Sequence, residues 1–414
     1  MSTQPSIAAP GIEPETRLSL EIPMLKMLTS KEELSLALTA YTRAPESHEL
    51  RHRLAAQLLA ADRFDEVIAL LEERKDLSSR TLNLLSSALL ARETHLDDER
   101  ALVIAEHAVQ LSQDQKERAL TVTELAKVVT RLGDLQRAEE LLQQALNLQP
   151  SEKDAYKRLF QLKLQRSREE ALVFAQDTIA AGVCHSRVLG SAPLALALLG
   201  RIDEARAAEG SHQFAASFDP EPPPGWDSLK QFNDALTAEA LNHPDARFNR
   251  YGVASAQTWR LDEPALQRTK CFQQLQKLIQ RETERYARTL PDTGHPWLQA
   301  MPQSAVLRNW TVIVEGDGYE TWHVHQNGWM SGVYYIHVQD HIAQGSGNGG
   351  CIAFGLPDAV VGADAAAAFG ETLVRPHSGL MMLFPSHIFH RTYPHHGSGR
   401  RICYAFDIIP SREL

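Results

Sequence analysis

Residues 320–336 read ETWHVHQNGWMSGVYYI, with His323 and His325 one residue apart just ahead of a β-branched and aromatic run. In an extended strand, residues i and i+2 project to the same side. Both imidazoles would then share one face, with Trp322 and Val324 on the other. The run that follows is one of five similar blocks: WTVIVEG (310–316), SGVYYIHV (331–338), GGCIAFG (349–355), GLMMLFP (379–385) and RRICYAFDII (400–409). Short strand-forming runs separated by Gly, Pro, Asn or Asp read as an antiparallel sandwich or jelly-roll barrel, here over residues 226–414 with helices near 227–242 and 263–289.

The first half follows a different pattern. Residues 25–212 are rich in Leu, Ala, Glu, Gln and Arg, with apolar residues at helical spacing. LAKVVTRLGDLQRAEELLQQALNLQP (125–150) has a Gly-Asp turn at 133–134, small Ala138 and Ala145, and a closing Pro150. It resembles the second half of a tetratricopeptide repeat, in which small residues let two antiparallel helices approach closely. Positions matching Ala138 are Val67, Ala101, Ala171 and Ala205, giving successive spacings of 34, 37, 33 and 34 residues, near that family's period. The expected class is therefore a multidomain α + β chain, an N-terminal helical repeat solenoid followed by a C-terminal β-barrel domain. Residues 1–24 read as a loose polar tail, and the Pro-rich stretch 213–225, with DPEPPPG inside it, reads as a linker.

The bulk numbers narrow the function. A length of 414 residues suits two or three domains, and the net charge of −10 argues against nucleic acid as the main partner. No apolar run approaches the roughly 18 residues that span a bilayer, and the opening segment lacks a basic region followed by an apolar stretch. Four scattered cysteines without a CxxC pair exclude a cysteine-built zinc site and suit a cytoplasmic location. The concave face of stacked helix pairs suits a peptide or protein, and equally a homodimer contact.

Residues 320–414 hold 9 of the 17 histidines. Two imidazoles on one strand face can bind one ion, and a third ligand has to come from a distant strand. GLMMLFPSHIFHRTYP (379–394) offers His387 and His390 after an apolar strand and a Pro-Ser turn. In RRICYAFDII, Ile402, Tyr404, Phe406 and Ile408 alternate with Arg401, Cys403, Ala405 and Asp407. The first set packs on the core, leaving Arg401 on a face with small neighbours, where a planar guanidinium can grip a carboxylate with two bonds. Arg400 is its surface counterpart. His337, His341 and His377 read as rim, loop or turn residues, DAAAAFGE (364–371) as a surface insertion, and Asn327 and Trp329 as candidates for substrate contact at the pocket mouth.

His-x-His, a distant His and an Arg about ten residues later resemble the 2-oxoglutarate/Fe(II)-dependent oxygenases of the double-stranded β-helix fold. The strings HVHQNGWMSGVYYI, GLMMLFPSHIFHRTYP and RRICYAFDI look closest to the branch with His-x-His, SGVYY and FPS…H…P blocks, often found beside tetratricopeptide repeats. The resemblance covers about residues 219–414. It implies Fe(II) held by His323, His325 and His390, 2-oxoglutarate as cosubstrate with its far carboxylate on Arg401, and a further hydroxyl from Tyr335. Two positions depart from the pattern: His325 stands where most of the superfamily has a carboxylate, and Cys403 where many relatives have Ser. The implied activity is a dioxygenase hydroxylating a peptide or protein side chain presented by the repeats. Two alternatives stand beside it. A cupin-type metalloenzyme also uses His-x-His and a later His, though it usually has a Glu where Gly328, Trp329 and Met330 stand here and gives Arg401 no task. A repeat scaffold with a silent barrel is the other.

Overall fold

The computed structural model describes residues 17–411. Helices fill the first half, and side-chain oxygens start them. Thr29 opens Ser30–Arg43 through a reciprocal box with Glu32, while Ser47, Ser78, Asp114, Asp134 and Ser167 cap later helices, each satisfying an N–H that the first helical turn leaves free. Between Gln115–Arg131 and Leu135–Leu148 the chain reverses at Gly133, where φ is +90°, a region glycine enters without a Cβ penalty. Val67, Ala101, Ala138, Ala171 and Ala205 are all fully buried, one on each of five helices. The repeat period read from the sequence is therefore the packing period.

The strands are β1 (Ser19–Glu21), β2 (Ala216–Phe218), β3 (Arg247–Phe248), β4 (Ser255–Asp262), β5 (Ser304–Glu320), β6 (Met330–His337), β7 (Ile352–Phe354), β8 (Thr372–Val374), β9 (Met381–Pro385), β10 (His390–Thr392) and β11 (Arg400–Pro410). The larger sheet runs β2-β9-β6-β11-β5-β4-β3, with β1 added in parallel on β5, and the smaller runs β10-β7-β8. The alternation on β11 comes out as read. Ile402, Tyr404, Phe406 and Ile408 are fully buried against Phe232, Leu236, Phe272, Leu275 and Ile279 of the helices Leu229–Leu241 and Lys270–Thr289. On the opposite face Cys403 joins Tyr335, Met382 and Phe384 in a second core shared with Ile352 and Phe354 of the smaller sheet. The site lies between the two sheets.

Three segments differ from the sequence reading. Residues 1–16 of the expected tail lie outside the described residues, but residues 17–24 are not loose: Leu18 and Leu20 are buried in the main core, and Ser19–Glu21 pairs with Ser304–Val306. A three-residue strand is too short to show a period. In the expected linker, Ala216–Phe218 pairs antiparallel with Met381–Leu383 and forms a sheet edge. The expected surface insertion is the helix Ala363–Phe369, whose Phe369, with Leu356 and Val361, shares a core with Leu194, Ala195 and Ala205 at the end of the helical stack. No helix among the described residues is long and apolar enough to cross a membrane.

Candidate metal centre

His323 and His325 lie in an extended segment after β5, outside any regular strand. The His323 N–H donates to the His390 carbonyl (3.0 Å), the His390 N–H to the His323 carbonyl (3.1 Å) and the His325 N–H to the Ser386 carbonyl (3.0 Å). These bonds fasten the His-x-His segment to the turn between β9 and β10. One ring nitrogen from each of His323, His325 and His390 falls within 4.8 Å of the others, the one such group of three among the described residues.

The hydrogen bonds fix which nitrogen is free. Nδ1 of His323 faces the Thr321 carbonyl (2.7 Å), Nδ1 of His390 faces the Ile388 carbonyl (3.0 Å) and Nδ1 of His325 faces Oδ1 of Asp407 (2.5 Å). All three partners can only accept, so each Nδ1 carries the proton and each Nε2 keeps its lone pair. Nε2 of His323 and of His325 are 3.3 Å apart. Two lone pairs at that separation repel, whereas two nitrogens each about 2.1 Å from one ion and at right angles lie about 3 Å apart.

The surroundings keep the His323 and His390 rings neutral. Burial, followed by the neighbouring His325, pushes His323 down to about 3, and burial with His323 and His325 holds His390 well below its ordinary value. Trp310 lies 5.3 Å from the His325 ring, and Phe384 4.9 Å from that of His390. Asp407 also accepts from Ser331 Oγ (2.7 Å), which bonds Ser386 Oγ (2.6 Å). Asp407 was not singled out in the sequence, although it shares the parity of Arg401 on β11. The buried pair of His325 and Asp407 sets a carboxylate directly behind the imidazole that departs from the usual acid, and such a partner orients a ligating His and raises its basicity.

Arg401 is buried. Nη1 donates to the Gly350 carbonyl (2.5 Å) and Nη2 to Thr392 Oγ1 (3.2 Å), while Nε has no partner among the described residues. No carboxylate among them forms an ion pair with it. A buried guanidinium with an unused donor fits an acid group, and three neutral nitrogens fit a divalent transition metal. Tyr335 lies opposite Cys403 on that same face, its hydroxyl pushed up by burial, whereas Tyr334 on the other face donates to Asn233 Oδ1 (2.8 Å).

Other sequence candidates fall elsewhere. His387 is buried with Nε2 on the Glu209 carbonyl (3.1 Å), outside the cluster. Trp329 is a correction: it stacks on Trp297 at 4.8 Å, and each indole N–H donates to the other's carbonyl (2.7 and 2.9 Å). It anchors the loop after His325 and is only 5% exposed. Asn327 lines the cavity beside His323 and His325, as read, and accepts from Lys153 Nζ (3.2 Å), a contact with the helical half. A cavity of about 550 Å³ opens onto His323 and His325, walled by Arg260, Trp310 and Glu320 of the sheet and by Gln57 and Ala61 of the repeat helices.

Residues 308–407 match the family model described as "Putative 2OG-Fe(II) oxygenase". No curated protein matches the chain. Among solved structures, a prolyl-4-hydroxylase from Pseudomonas putida is 13% identical over 51% of this chain and 98% of its own, with a TM-score of 0.32. A prolyl hydroxylase from Trichoplax adhaerens, in complex with a peptide fragment of hypoxia inducible factor, is 11% identical over 53% and 92%, with a TM-score of 0.34. A tetratricopeptide protein from Thermus thermophilus is 21% identical over 36% and 82%, with a TM-score of 0.28. The family match spans the segments that carry the three imidazoles and the buried guanidinium. The chain thus carries a 2-oxoglutarate/Fe(II) oxygenase domain, with Fe(II) as its metal and 2-oxoglutarate as its cosubstrate, behind an N-terminal run of tetratricopeptide-like helices.

Proposed function

We propose that Nε2 of His323, His325 and His390 holds the Fe(II), that Arg401 with Tyr335 binds the 2-oxoglutarate, and that the substrate is a peptide or protein side chain. In this reading residues 25–212 present the substrate and residues 226–414 carry out the reaction. The opposed Nε2 lone pairs of His323 and His325, 3.3 Å apart, carry the metal assignment. Bound Fe(II) and 2-oxoglutarate supply the oxidation: with dioxygen, a substrate C–H becomes C–OH while 2-oxoglutarate becomes succinate and CO2.

The chain's own groups do the rest. Arg401 neutralises the far carboxylate of the cosubstrate, and its unused Nε is the free donor for that contact. Tyr335 stays protonated and offers a hydroxyl on the same face. Asp407 holds the Nδ1 proton of His325, fixing its tautomer and returning negative charge to a ligand set that has none of its own. Trp310, Phe354 and Phe384 pack around the rings and keep water away. The cavity is walled by both the repeat helices and the sheet, and this shared wall supports a peptide or protein substrate.

The test is anaerobic titration of the full chain with Fe(II) and then 2-oxoglutarate. A weak visible charge-transfer band should appear, be lost in His323→Ala and His390→Ala, and be lost in Arg401→Ala at the cosubstrate step alone. Equal, negligible Fe in wild type and His323→Ala after reconstitution would remove the metal assignment.

A further inference from the structure

The cavity beside His323 and His325 has an unusual charge arrangement. Arg247 on β3 stands directly opposite Arg260 on β4. Like charges facing across a strand pair are destabilising unless a counter-charge is shared. Asp262 is that counter-charge: Oδ1 accepts from Arg260 Nε (2.8 Å), while Oδ2 accepts from Arg247 Nη2 (3.2 Å) and Arg250 Nη1 (2.7 Å). Three guanidinium groups thus rest on one carboxylate, and the buried Nε of Arg250 has no partner among the described residues. Arg308 is exposed on the same cavity and forms no ion pair with a carboxylate among the described residues.

The other acids that line the cavity are Glu33, Glu263, Glu320 and Asp407. Asp407 is held by His325 and Ser331, Glu33 lies 3.8 Å from Lys26, and Glu263 is exposed. Glu320 accepts from Ser255 Oγ (2.6 Å), and burial pushes its carboxyl upward. Positive charge is left over at this wall of the cavity. It also adjoins the metal centre: the Arg260 guanidinium lies 4.6 Å over the Trp310 ring, and that ring is 5.3 Å from His325. One indole separates the arginine cluster from a proposed ligand. The cluster reaches the repeat helices as well, because Arg247 Nη1 donates to the Ala60 carbonyl (2.6 Å).

We propose that Arg247, Arg250 and Arg260 around Asp262, with Arg308, form a substrate subsite that takes an acidic side chain, so that the peptide hydroxylated here carries Asp or Glu close to the reacting residue. This rests on the oxygenase reading for its position but not for its chemistry, since a carboxylate would bind the arginines with or without iron. Substrate carboxylate oxygens would accept from the Arg250 guanidinium and from Arg308, while Asp262 keeps the three guanidinium groups in place.

Two labelled peptides of equal length, differing only in Glu against Lys at alternate positions, separate the outcomes by fluorescence anisotropy on the full chain. The Glu peptide should bind at least about tenfold more tightly, with the preference shrinking as salt is raised. Arg250→Gln and Arg308→Gln should each reduce it, and the double variant should abolish it. Arg118→Gln, on a distant repeat helix, should leave it intact. Equal binding of the two peptides, a preference that survives the double variant, or tighter binding of a single-stranded oligonucleotide than of the Glu peptide would overturn the proposal. The Fe(II)/2-oxoglutarate band, read on the same samples, keeps the two readings apart. A preserved band with no acidic preference sinks the subsite alone, and an acidic preference with no band sinks the oxygenase site alone.

Discussion

Asp407→Asn isolates the charge behind His325. The substitution keeps the shape of the side chain, and its amide oxygen can still accept from His325 Nδ1 and Ser331 Oγ, both of which meet Oδ1 in the wild type. What disappears is the negative charge. The side chains of His325 and Asp407 are only 7% and 9% exposed, so solvent screens this interaction little. Losing such a partner of a ligating histidine costs about 10- to 100-fold in metal affinity, or about 1.4 to 2.7 kcal/mol. The buried setting places the expectation toward the upper end. The assay is anaerobic competition for Fe(II) against a chromophoric chelator, alongside thermal melting of the metal-free protein. Metal-free Asp407→Asn should melt near wild type and bind Fe(II) at least about tenfold more weakly. Affinity within about twofold of wild type in a folded variant would refute the view that this carboxylate replaces the missing acid ligand.

Arg401→Gln should leave Fe(II) affinity unchanged but cost about 2–5 kcal/mol of 2-oxoglutarate binding by removing one partner of a buried charge pair, measured calorimetrically with Mn(II) in place of iron; unchanged cosubstrate affinity would contradict the assignment. Gly332→Ala should destabilise the fold by about 1–3 kcal/mol, because an added Cβ overlaps the Phe406 ring and meets the Met382 carbonyl oxygen at 2.6 Å in the centre of the large sheet; the urea midpoint reads this, and an unchanged midpoint would contradict it. Burial pushes His185 from 6.5 down to about 3. Between those values the unfolded chain takes up a proton that the folded chain refuses, so stability is complete above 6.5 and falls as pH drops toward 3, by up to about 1.4 kcal/mol per pH unit for this group. His185→Gln should therefore flatten the slope of urea midpoint against pH below 6.5, and equal slopes would contradict it.

Side-chain parity made much of the site legible. Ile402, Tyr404, Phe406 and Ile408 pack together, and Arg401 is buried on the other face, because alternation along a strand survives any tertiary arrangement. The same parity marks Asp407, but an acid near the end of an apolar strand looks like a solvated residue until His325 is placed beside it. His323 and His325 converge without a regular strand, held by an isolated two-bond bridge to His390 and one backbone bond to Ser386 that no local pattern encodes. The repeat period was readable because a fully buried residue, Ala at four of the five positions and Val67 at the other, recurs once per repeat. The arginine cluster was hidden for the opposite reason: β3 has only two residues, and its pairing with β4 depends on a turn rather than on hydrophobic alternation. Trp329 shows that an aromatic beside a metal motif can be an anchor, since its partner Trp297 is adjacent only in the folded chain.

The parallel docking of Ser19–Glu21 on Ser304–Val306 joins segments that lie on either side of the whole helical stack in sequence. The large sheet can be completed only after nearly the whole molecule has been made, with the helical stack already formed in between and enclosed as a long excursion between neighbouring strands. The two halves are consequently not separable beads on a string. A version beginning after the stack would lack Leu18 and Leu20 from its core and expose the backbone edge that Ser19–Glu21 covers. It should clump during expression, while a circularly permuted chain that keeps this short segment should remain dispersed.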